Sequence, residues 1–195
     1  MGATVFALDL SRAVEPAFAN NRDCDNVHVV QADVFNPPFA SESLDVVFSI
    51  GVLHHTPSAK AATESAARLV KPGGLVSIHL YRRRNLAFET TDRLLRLVTT
   101  RLSPETCWKL SAIPTAIGKL FYRNRVLYAG LNAVVAAYPS HHHNYDWYSP
   151  VVATHHTEEE VKGWLRPLGF GELADDSPFS DPHSYYARIY PSWGR

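Results

Sequence analysis

Apolar residues fall into short runs that end in an acid or a polar turn. The first two runs, residues 4–9 and 27–33, each close on an aspartate, and the third, residues 44–50, continues into the turn 51–56. Apolar, β-rich runs of this length are typical of buried parallel strands, whose carboxyl ends open onto a ligand site. The pattern predicts three strands, with the functional residues where they end.

Segments whose apolar residues have helical spacing lie between these runs. Ser11 can cap a short helix, although Pro16 fits it only if the helix starts late. A second helix is predicted over residues 58–70. Pro72-Gly73-Gly74 is expected to end this helix before a strand over residues 75–80. Strands that alternate with helices predict a parallel α/β sheet with right-handed crossovers.

The alternation of predicted strands and helices stops over residues 82–149. Residues 86–102 and 104–138 have a helical pattern without a strand between them, which predicts a helical insertion, or lid. Thr157 and Glu160 then have the spacing of a capping box. The last two strands, residues 170–174 and 185–190, are expected to form an antiparallel hairpin whose link contains Pro178 and Pro182.

The predicted fold is one α/β domain over residues 1–195. It has a Rossmann-like, mostly parallel sheet with an antiparallel last strand, helices on both faces and a helical lid insertion.

The composition of the chain limits the kinds of binding partner and the cellular compartment that we expect. The chain has 195 residues, and its 19 Lys and Arg balance 19 Asp and Glu, so no net charge favours nucleic acid as a partner over a small molecule. Its two cysteines lack metal-binding spacing, which suits a reducing cytoplasm. The longest apolar segment, residues 126–138, is too short for stable membrane insertion.

The most specific pattern begins with the acid-led strand 45–49. It continues with the turn Gly51-Val52-Leu53-His54-His55, a helix and Lys71-Pro72-Gly73-Gly74. In this order the elements resemble class I S-adenosylmethionine-dependent methyltransferases that act on small molecules. The resemblance covers residues 4–80 and 149–190, and it implies S-adenosylmethionine as cofactor and methyl transfer to a small-molecule acceptor.

The resemblance also implies a set of cofactor-binding residues. Asp9 would bind the ribose hydroxyls, with Leu10 beside the adenine. Asp33 would accept a hydrogen bond from the adenine amino group, and Val34 would offer a backbone donor to the ring. Ile50 and Gly51 complete the set, because a side chain at residue 51 would crowd the methionine moiety. The alternative for Asp33 is that it only caps the following turn.

Candidate catalytic and acceptor-binding residues follow from the same resemblance. If the transfer needs a base, His54 or His55 is the best candidate, because imidazole titrates near neutrality. The alternative is that one of them only packs against the cofactor or caps the next helix. Tyr145, Trp147 and Tyr148 are suitable walls for an acceptor pocket, although ordinary lid packing would select the same residues.

No metal site is predicted. The histidines at 141–143 and 155–156 suggest zinc, but adjacent histidines cannot readily share one tetrahedral site. No cysteine or paired carboxylate completes a shell around them.

One family element is absent from the sequence, namely the first strand with its glycine-rich turn. That strand would occupy the middle of the sheet, so its absence leaves apolar edges unpaired at residues 4–9 and 44–50. Either the chain is a fragment, or the strands close up and cofactor binding is lost. We favour a fragment, because Asp9, Asp33 and Gly51 are all retained.

Two other functions remain open. A non-catalytic remnant could hold a partner through its unpaired edge strands. A nicotinamide-dependent oxidoreductase would also use Asp9, but it predicts a GxGxxG turn upstream of that residue.

Overall fold

The computed structural model describes residues 2–172, 188–189 and 192–194. Its strands are β1 (Val5–Asp9), β2 (Val27–Gln31), β3 (Leu44–Ile50), β4 (Val70–Arg82), β5 (His155–His156), β6 (Gly171–Glu172), β7 (Arg188–Ile189) and β8 (Ser192–Gly194). Its helices are α1 (Val14–Asn21), α2 (Ala59–Arg68), α3 (Leu86–Thr99), α4 (Pro104–Leu110), α5 (Ala112–Phe121), α6 (Arg125–Asn132), α7 (His141–Tyr148) and α8 (Glu158–Leu165). The predicted α/β class is confirmed.

The strands form two separate sheets. β1 and β2 make a parallel pair, while β3 pairs in parallel with β4. β4 also pairs in parallel with β5 and antiparallel with β7 and β8, and β6 runs antiparallel to β8. In the described part of the chain, β1 and β3 are therefore edge strands of different sheets. The alternative in which these two strands close up on each other is not observed.

Helix α1 starts late, as its proline requires. Ser11 Oγ accepts a hydrogen bond from the backbone N–H of Ala13, and the helix begins at Val14. Pro16 then lies in the first turn, where a backbone N–H has no acceptor within the helix. None of the helix residues is buried, so α1 contributes little to either core.

The segment Pro72-Gly73-Gly74 lies inside a strand. The expectation that it ends helix α2 is wrong, because α2 stops at Arg68 and β4 already begins at Val70. The register between β3 and β4 shifts between Leu44 and Val46, opposite this segment. Gly73 has a φ of +80°, and a Cβ on Gly74 would lie 2.6 Å from the Asp45 carbonyl oxygen. Glycine is needed because the two backbones approach so closely.

The main core lies between β4 and the helices α2 and α8. Its buried residues are Leu53, Ala62, Ala67, Val70, Val76, Ile78, Leu80, Val161, Leu165 and Phe170. The predicted capping box at the start of α8 is confirmed: the Glu160 N–H donates to Thr157 Oγ1, and the Thr157 N–H donates to Glu160 Oε2. The opposite face of β3 exposes Val46, Phe48 and Ile50.

Residues 82–149 form the predicted helical insertion, with more breaks than the pattern suggested. The expected continuous helix over residues 104–138 is divided into α4, α5 and α6. Asn124 starts α6 by accepting hydrogen bonds from the N–H groups of Val126 and Leu127, so a polar side chain competes with helix continuation. The insertion has its own core, which contains Phe88, Cys107, Ala136, Tyr138, Trp147 and Tyr148.

Parts of the predicted last strands lie outside the described residues. Residues 173–174, 185–187 and 190 are not described, and neither is the link with Pro178 and Pro182. The short strands β5 and β8 were not predicted. In the described part of the chain, no helix is long and apolar enough to cross a membrane.

Gly118 of helix α5 provides a test of the packing inside the insertion. A Cβ at this position would lie 2.5–2.7 Å from backbone atoms of Ala137 and Tyr138, whereas a Cβ at Gly130 would meet no atom within 4 Å. We expect Gly118→Ala to lower the free energy of unfolding by about 1–3 kcal/mol, because backbone has to move. Gly130→Ala should be neutral or stabilise by up to about 1 kcal/mol. Chemical denaturation measures both, and equal effects of the two substitutions would contradict this packing.

Candidate functional site

Asp9 ends strand β1 at the rim of the two-stranded sheet. One of its oxygens, Oδ1, accepts hydrogen bonds of 2.7 Å from both the backbone N–H and the hydroxyl of Ser11. The Asp9 carbonyl accepts from the Ala32 N–H, which ties the end of β1 to the end of β2. Oδ2 has no hydrogen bond to the described residues, so it is available to a ligand.

Asp33 follows β2 at the same rim, two residues beyond the pair Asp9 and Gln31. Its Oδ1 accepts from the Phe35 N–H at 2.9 Å, as expected for an aspartate that stabilises a turn. The side chain of Gln31 donates to the Leu10 carbonyl and joins the two exit turns. Val34 packs against the main core and holds the loop after Asp33 in place. The two acids predicted for adenosine therefore follow adjacent strands.

The exit of β3 lies in the other sheet. Gly51 has a φ of +73°, a conformation that L side chains rarely adopt, and its N–H donates to the His79 carbonyl at 3.3 Å. A Cβ at this position would meet no atom of the described residues within 4 Å, so the space beside it is open to them. Ile50 is exposed just before it. This point leaves room for a ligand to approach the backbone.

His54 is fully buried in the short turn after β3. Its ring contacts Tyr81 and His55 in tilted arrangements, with 3.8 Å and 4.1 Å between the ring centroids. Neither ring nitrogen has a hydrogen-bond partner among the described residues. Burial lowers the pKa of His54 to about 2, and burial also raises the pKa of Tyr81 to about 12. His54 therefore stays neutral and occupies a packing position, which is the alternative left open for one of the two histidines.

His55 is less buried and makes a directed contact. Its Nδ1 lies 2.7 Å from the Val152 carbonyl, so the neutral ring carries its proton on Nδ1 and leaves Nε2 as the acceptor. Burial lowers the pKa of His55, partly opposed by this hydrogen bond. The Thr154 N–H and hydroxyl both donate to the His54 carbonyl. These bonds fix the segment after the insertion against the turn; a role of His55 as base stays a prediction.

Trp147 lies in the core of the insertion. Its ring stacks on Tyr81 at 4.5 Å, and its Nε1–H donates to Asp92 Oδ1 at 2.8 Å. The other oxygen of Asp92 accepts from Arg96 Nε at 2.9 Å, and the Arg96 guanidinium also donates to the carbonyls of Trp147 and Pro150. This buried network ties α3 to the end of α7.

Tyr148 is buried beside Trp147, and its hydroxyl donates to the Ala136 carbonyl at 2.7 Å. Burial raises the pKa of Tyr148 above its usual value. Tyr145 is partly buried and meets the Trp108 ring edge-on at 5.3 Å. The three aromatic residues thus contribute to the packing of the insertion. Their role as walls of an acceptor pocket stays a prediction, and an acceptor would reach Trp147 or Tyr148 only if the insertion moved.

A carboxylate–histidine pair at the end of β4 was not found from the sequence. His155 Nδ1 lies 2.8 Å from Glu89 Oε2, and the ring is next to Trp147 at 5.7 Å. Burial would raise the pKa of Glu89, but hydrogen bonds from the Arg84 N–H and His155 keep it below its usual value. Glu89 and His155 are 66 residues apart, so no local spacing could indicate their contact. The i, i+4 spacing of Asp92 and Arg96 was a usable signal for the network around Trp147.

The histidine pairs and triplet show no metal-binding arrangement. His141 Nε2 lies 2.7 Å from the Trp108 carbonyl, and His156 Nε2 lies 2.8 Å from Thr154 Oγ1. Among residues 2–172, 188–189 and 192–194, no three His, Cys, Asp or Glu side chains are grouped so that they could hold a metal ion.

Comparison with known proteins gives a partial match. Residues 1–78 match a family described as a methyltransferase domain. The "Probable tRNA methyltransferase 9B" of Mus musculus is 33% identical in an alignment of 96 residues, and the match covers 45% of this chain and 21% of that protein. The 27-O-demethylrifamycin SV methyltransferase of Amycolatopsis mediterranei is 31% identical over 77 residues, which are 40% of this chain and 28% of that protein. The matched segments span less than a third of these relatives.

Solved structures similar to this chain include the YcgJ protein from Bacillus subtilis. It has 22% sequence identity and a TM-score of 0.40, and the match covers 47% of this chain and 42% of that one. For the trans-methyltransferase CalH in complex with SAH the identity is 24%, the TM-score 0.36, and the shares are 41% and 24%. The family match confirms the predicted resemblance to methyltransferases for residues 1–78, and this resemblance implies S-adenosylmethionine as cofactor.

The buried position of His54 predicts a pH-dependent stability. The folded ring takes up a proton only near pH 2, whereas the unfolded chain does so near 6.5, so acid below pH 6.5 favours unfolding. His54 should account for about 1 kcal/mol of the stability lost between pH 7.5 and 5.5. We expect the unfolding free energy of His54→Phe to fall less than that of the wild type over this range, as measured by urea titration.

The exposed residue His142 provides the matched control, because His142→Phe removes one histidine from the surface of α7. If His54→Phe and wild type lost the same stability between the two pH values, the proposed burial of a neutral His54 would be wrong.

Proposed function

We propose, from the methyltransferase-domain match over residues 1–78, that the chain binds S-adenosylmethionine and transfers its methyl group to a small-molecule acceptor. The observation that carries this proposal is the placement of two acids at one rim. Asp9 and Asp33 follow the parallel strands β1 and β2, which are paired in register from Val5 and Val27 to Asp9 and Gln31. Carboxyl ends of parallel strands are where open α/β sheets bind ligands.

Each acid has one oxygen for its own turn and one for a ligand. Ser11 and the Phe35 N–H use the Oδ1 atoms of Asp9 and Asp33, and neither Oδ2 has a hydrogen bond to the described residues. In the proposal, Asp9 accepts hydrogen bonds from the two ribose hydroxyls, with Leu10 beside the adenine. Asp33 accepts from the adenine amino group, and the Val34 N–H donates to the ring. Charge-assisted bonds of this kind are stronger than neutral ones.

The exit of β3 would lie next to the methionine end of the cofactor. The positive φ of Gly51 and the open space beside it support this assignment, and Ile50 would contact the cofactor from the exposed side. S-adenosylmethionine supplies a methyl group that its sulfonium already activates, so the protein mainly aligns the acceptor and excludes water. Where the acceptor must lose a proton, Nε2 of His55 is the proposed base, because its Nδ1 is already used by the Val152 carbonyl.

The class of acceptor is the finer part of the proposal. The names of the two relatives carry different acceptors, a tRNA and a rifamycin derivative, and each match covers less than half of this chain. A small molecule is favoured because the chain as a whole has no net charge to attract a polyanion. A cytoplasmic location is proposed because Cys24 and Cys107 are both free thiols, which suits a reducing compartment.

Calorimetry with S-adenosylhomocysteine tests the cofactor site. We expect saturable binding to the wild-type chain. Asp9→Asn and Asp33→Asn should each weaken it about 10-fold or more, because each removes a charged acceptor. Asp23→Asn, an exposed acid whose only described ion pair is with its neighbour Arg22, is the matched control and should bind like the wild type.

Three other outcomes of this titration would contradict the proposed cofactor site. A folded wild-type chain that binds no S-adenosylhomocysteine contradicts the proposal, and binding of NADH instead would favour the oxidoreductase. Equal affinities of the Asp9, Asp33 and Asp23 variants would show that the ligand does not use this rim.

A second candidate is a non-catalytic interaction module. It is favoured by the exposed apolar side chains Val46, Phe48 and Ile50, which lie on the edge strand of the larger sheet. Exposed apolar edge strands are templates for pairing with another chain. In this case the folded protein would bind neither S-adenosylhomocysteine nor NADH.

A further inference from the structure

The neutral total charge conceals an uneven distribution. The helical insertion, residues 82–149, contains ten Lys and Arg but only four Asp and Glu, whereas the rest of the chain contains nine and fifteen. Two of the insertion's charges, Asp92 and Arg96, neutralise each other in its core. The surface of the insertion is therefore strongly basic, although the chain is not.

The same surface is rich in large apolar side chains. In α3, Leu94, Leu97 and Val98 lie on one side of the helix and are 56–60% exposed, while Phe88 and Asp92 are buried on the opposite side. Their spacing is that of a continuous stripe. A soluble helix normally turns such a stripe towards the core, but here the buried side is already occupied by the network around Trp147.

A second apolar stripe runs along α5. Ile113, Ile117 and Leu120 follow the i, i+4, i+7 spacing and are all exposed, with Leu120 at 76%. Helix α6 packs against α5, and its second and third residues, Val126 and Leu127, are 80% and 53% exposed. More than half of the large apolar residues that the described part of the chain exposes lie between residues 86 and 134.

Basic side chains flank these stripes. In the sequence, Arg93 precedes Leu94 and Arg101 follows Val98 by three residues, Lys119 precedes Leu120, and Arg123 and Arg125 lie between Leu120 and Val126. Lys119, Arg123 and Arg125 form no ion pair with any acid in the described residues. Exposed aliphatic residues next to unneutralised cations are the composition of helices that lie in a membrane interface.

We propose that the helical insertion docks on the surface of an anionic lipid bilayer. The aliphatic side chains of α5 and α6 enter the boundary between headgroups and acyl chains, and the flanking cations contact lipid phosphates. No described helix can span a bilayer, so the contact is peripheral. This binding needs no methyl transfer and goes beyond the proposed enzymatic function.

Two other occupants suit the surface less well. Proteins that bind RNA also use cations, but they stack aromatic side chains on the bases. The stripes here consist of Leu, Ile and Val, with Tyr122 as an exposed aromatic residue next to them. A second copy of the chain would cover the apolar residues, but a symmetric contact would bring like charges such as Arg123 and Arg125 together. An anionic lipid surface offers acyl chains to the apolar residues and phosphates to the cations.

Vesicle sedimentation tests the proposal. The wild-type chain is expected to bind vesicles of phosphatidylcholine with roughly one third phosphatidylglycerol, and not vesicles of phosphatidylcholine alone. Salt should weaken the binding, because screening acts on exposed charges. The double variant Leu120→Ser/Val126→Ser should bind about 10-fold more weakly. The triple variant Lys119→Glu/Arg123→Glu/Arg125→Glu should lose at least about 100-fold.

Matched controls come from α1 and the residue after it. Phe18→Ser replaces an exposed apolar residue and Arg22→Glu an exposed cation, both outside the insertion, and both variants should bind like the wild type. All substituted side chains are exposed, so circular dichroism should show the wild-type fold in every variant.

Three results would overturn the proposal: no binding to anionic vesicles, equal losses in the control variants, or binding of transfer RNA but not of vesicles. A stable dimer that hides the stripes, seen by light scattering, would also overturn it. The vesicle assay is run without cofactor and the calorimetry without vesicles, so failure of either proposal leaves the other standing.

Discussion

The aromatic contacts of Tyr81, at the end of β4, join the helical insertion to the turn after β3. Tyr81 lies between His54, which follows β3, and Trp147, which closes the insertion. His54 and Trp147 are buried, and both are in contact with the Tyr81 ring. The turn with the two histidines, the sheet and the insertion therefore share one aromatic contact.

The buried ion pair of Asp92 and Arg96 fixes the orientation of these rings. Burying two charges is costly, and it is tolerated only because each finds further partners: Trp147 Nε1–H for Asp92, and two backbone carbonyls for Arg96. Through its hydrogen bond from Trp147 Nε1–H, this pair also holds the Trp147 ring in place. The insertion is thereby held with one face against β4 and the other, apolar and basic, towards its surroundings.

The two halves of the candidate site are built on different sheets. Asp9 and Asp33 stand on the β1–β2 pair, and Gly51 and the two histidines stand on the exit of β3. A ligand that used both would bridge the two sheets, and the apolar residues exposed on β3 lie on the same strand. Exposed apolar strands are a liability unless something covers them, so the arrangement is suited to an additional partner at this point.

Local pattern determined much of this protein. Strand positions, the capping box of α8 and the rim position of both acids follow from residue order, because period, turn chemistry and capping act over a few residues. What only the tertiary structure decided depends on residues far apart in the chain: the strand position of Pro72–Gly74, which follows from pairing with β3, the burial of His54 under Tyr81, and the pairing of Glu89 with His155. Burial and long-range contacts set these outcomes, and no local sequence rule encodes them.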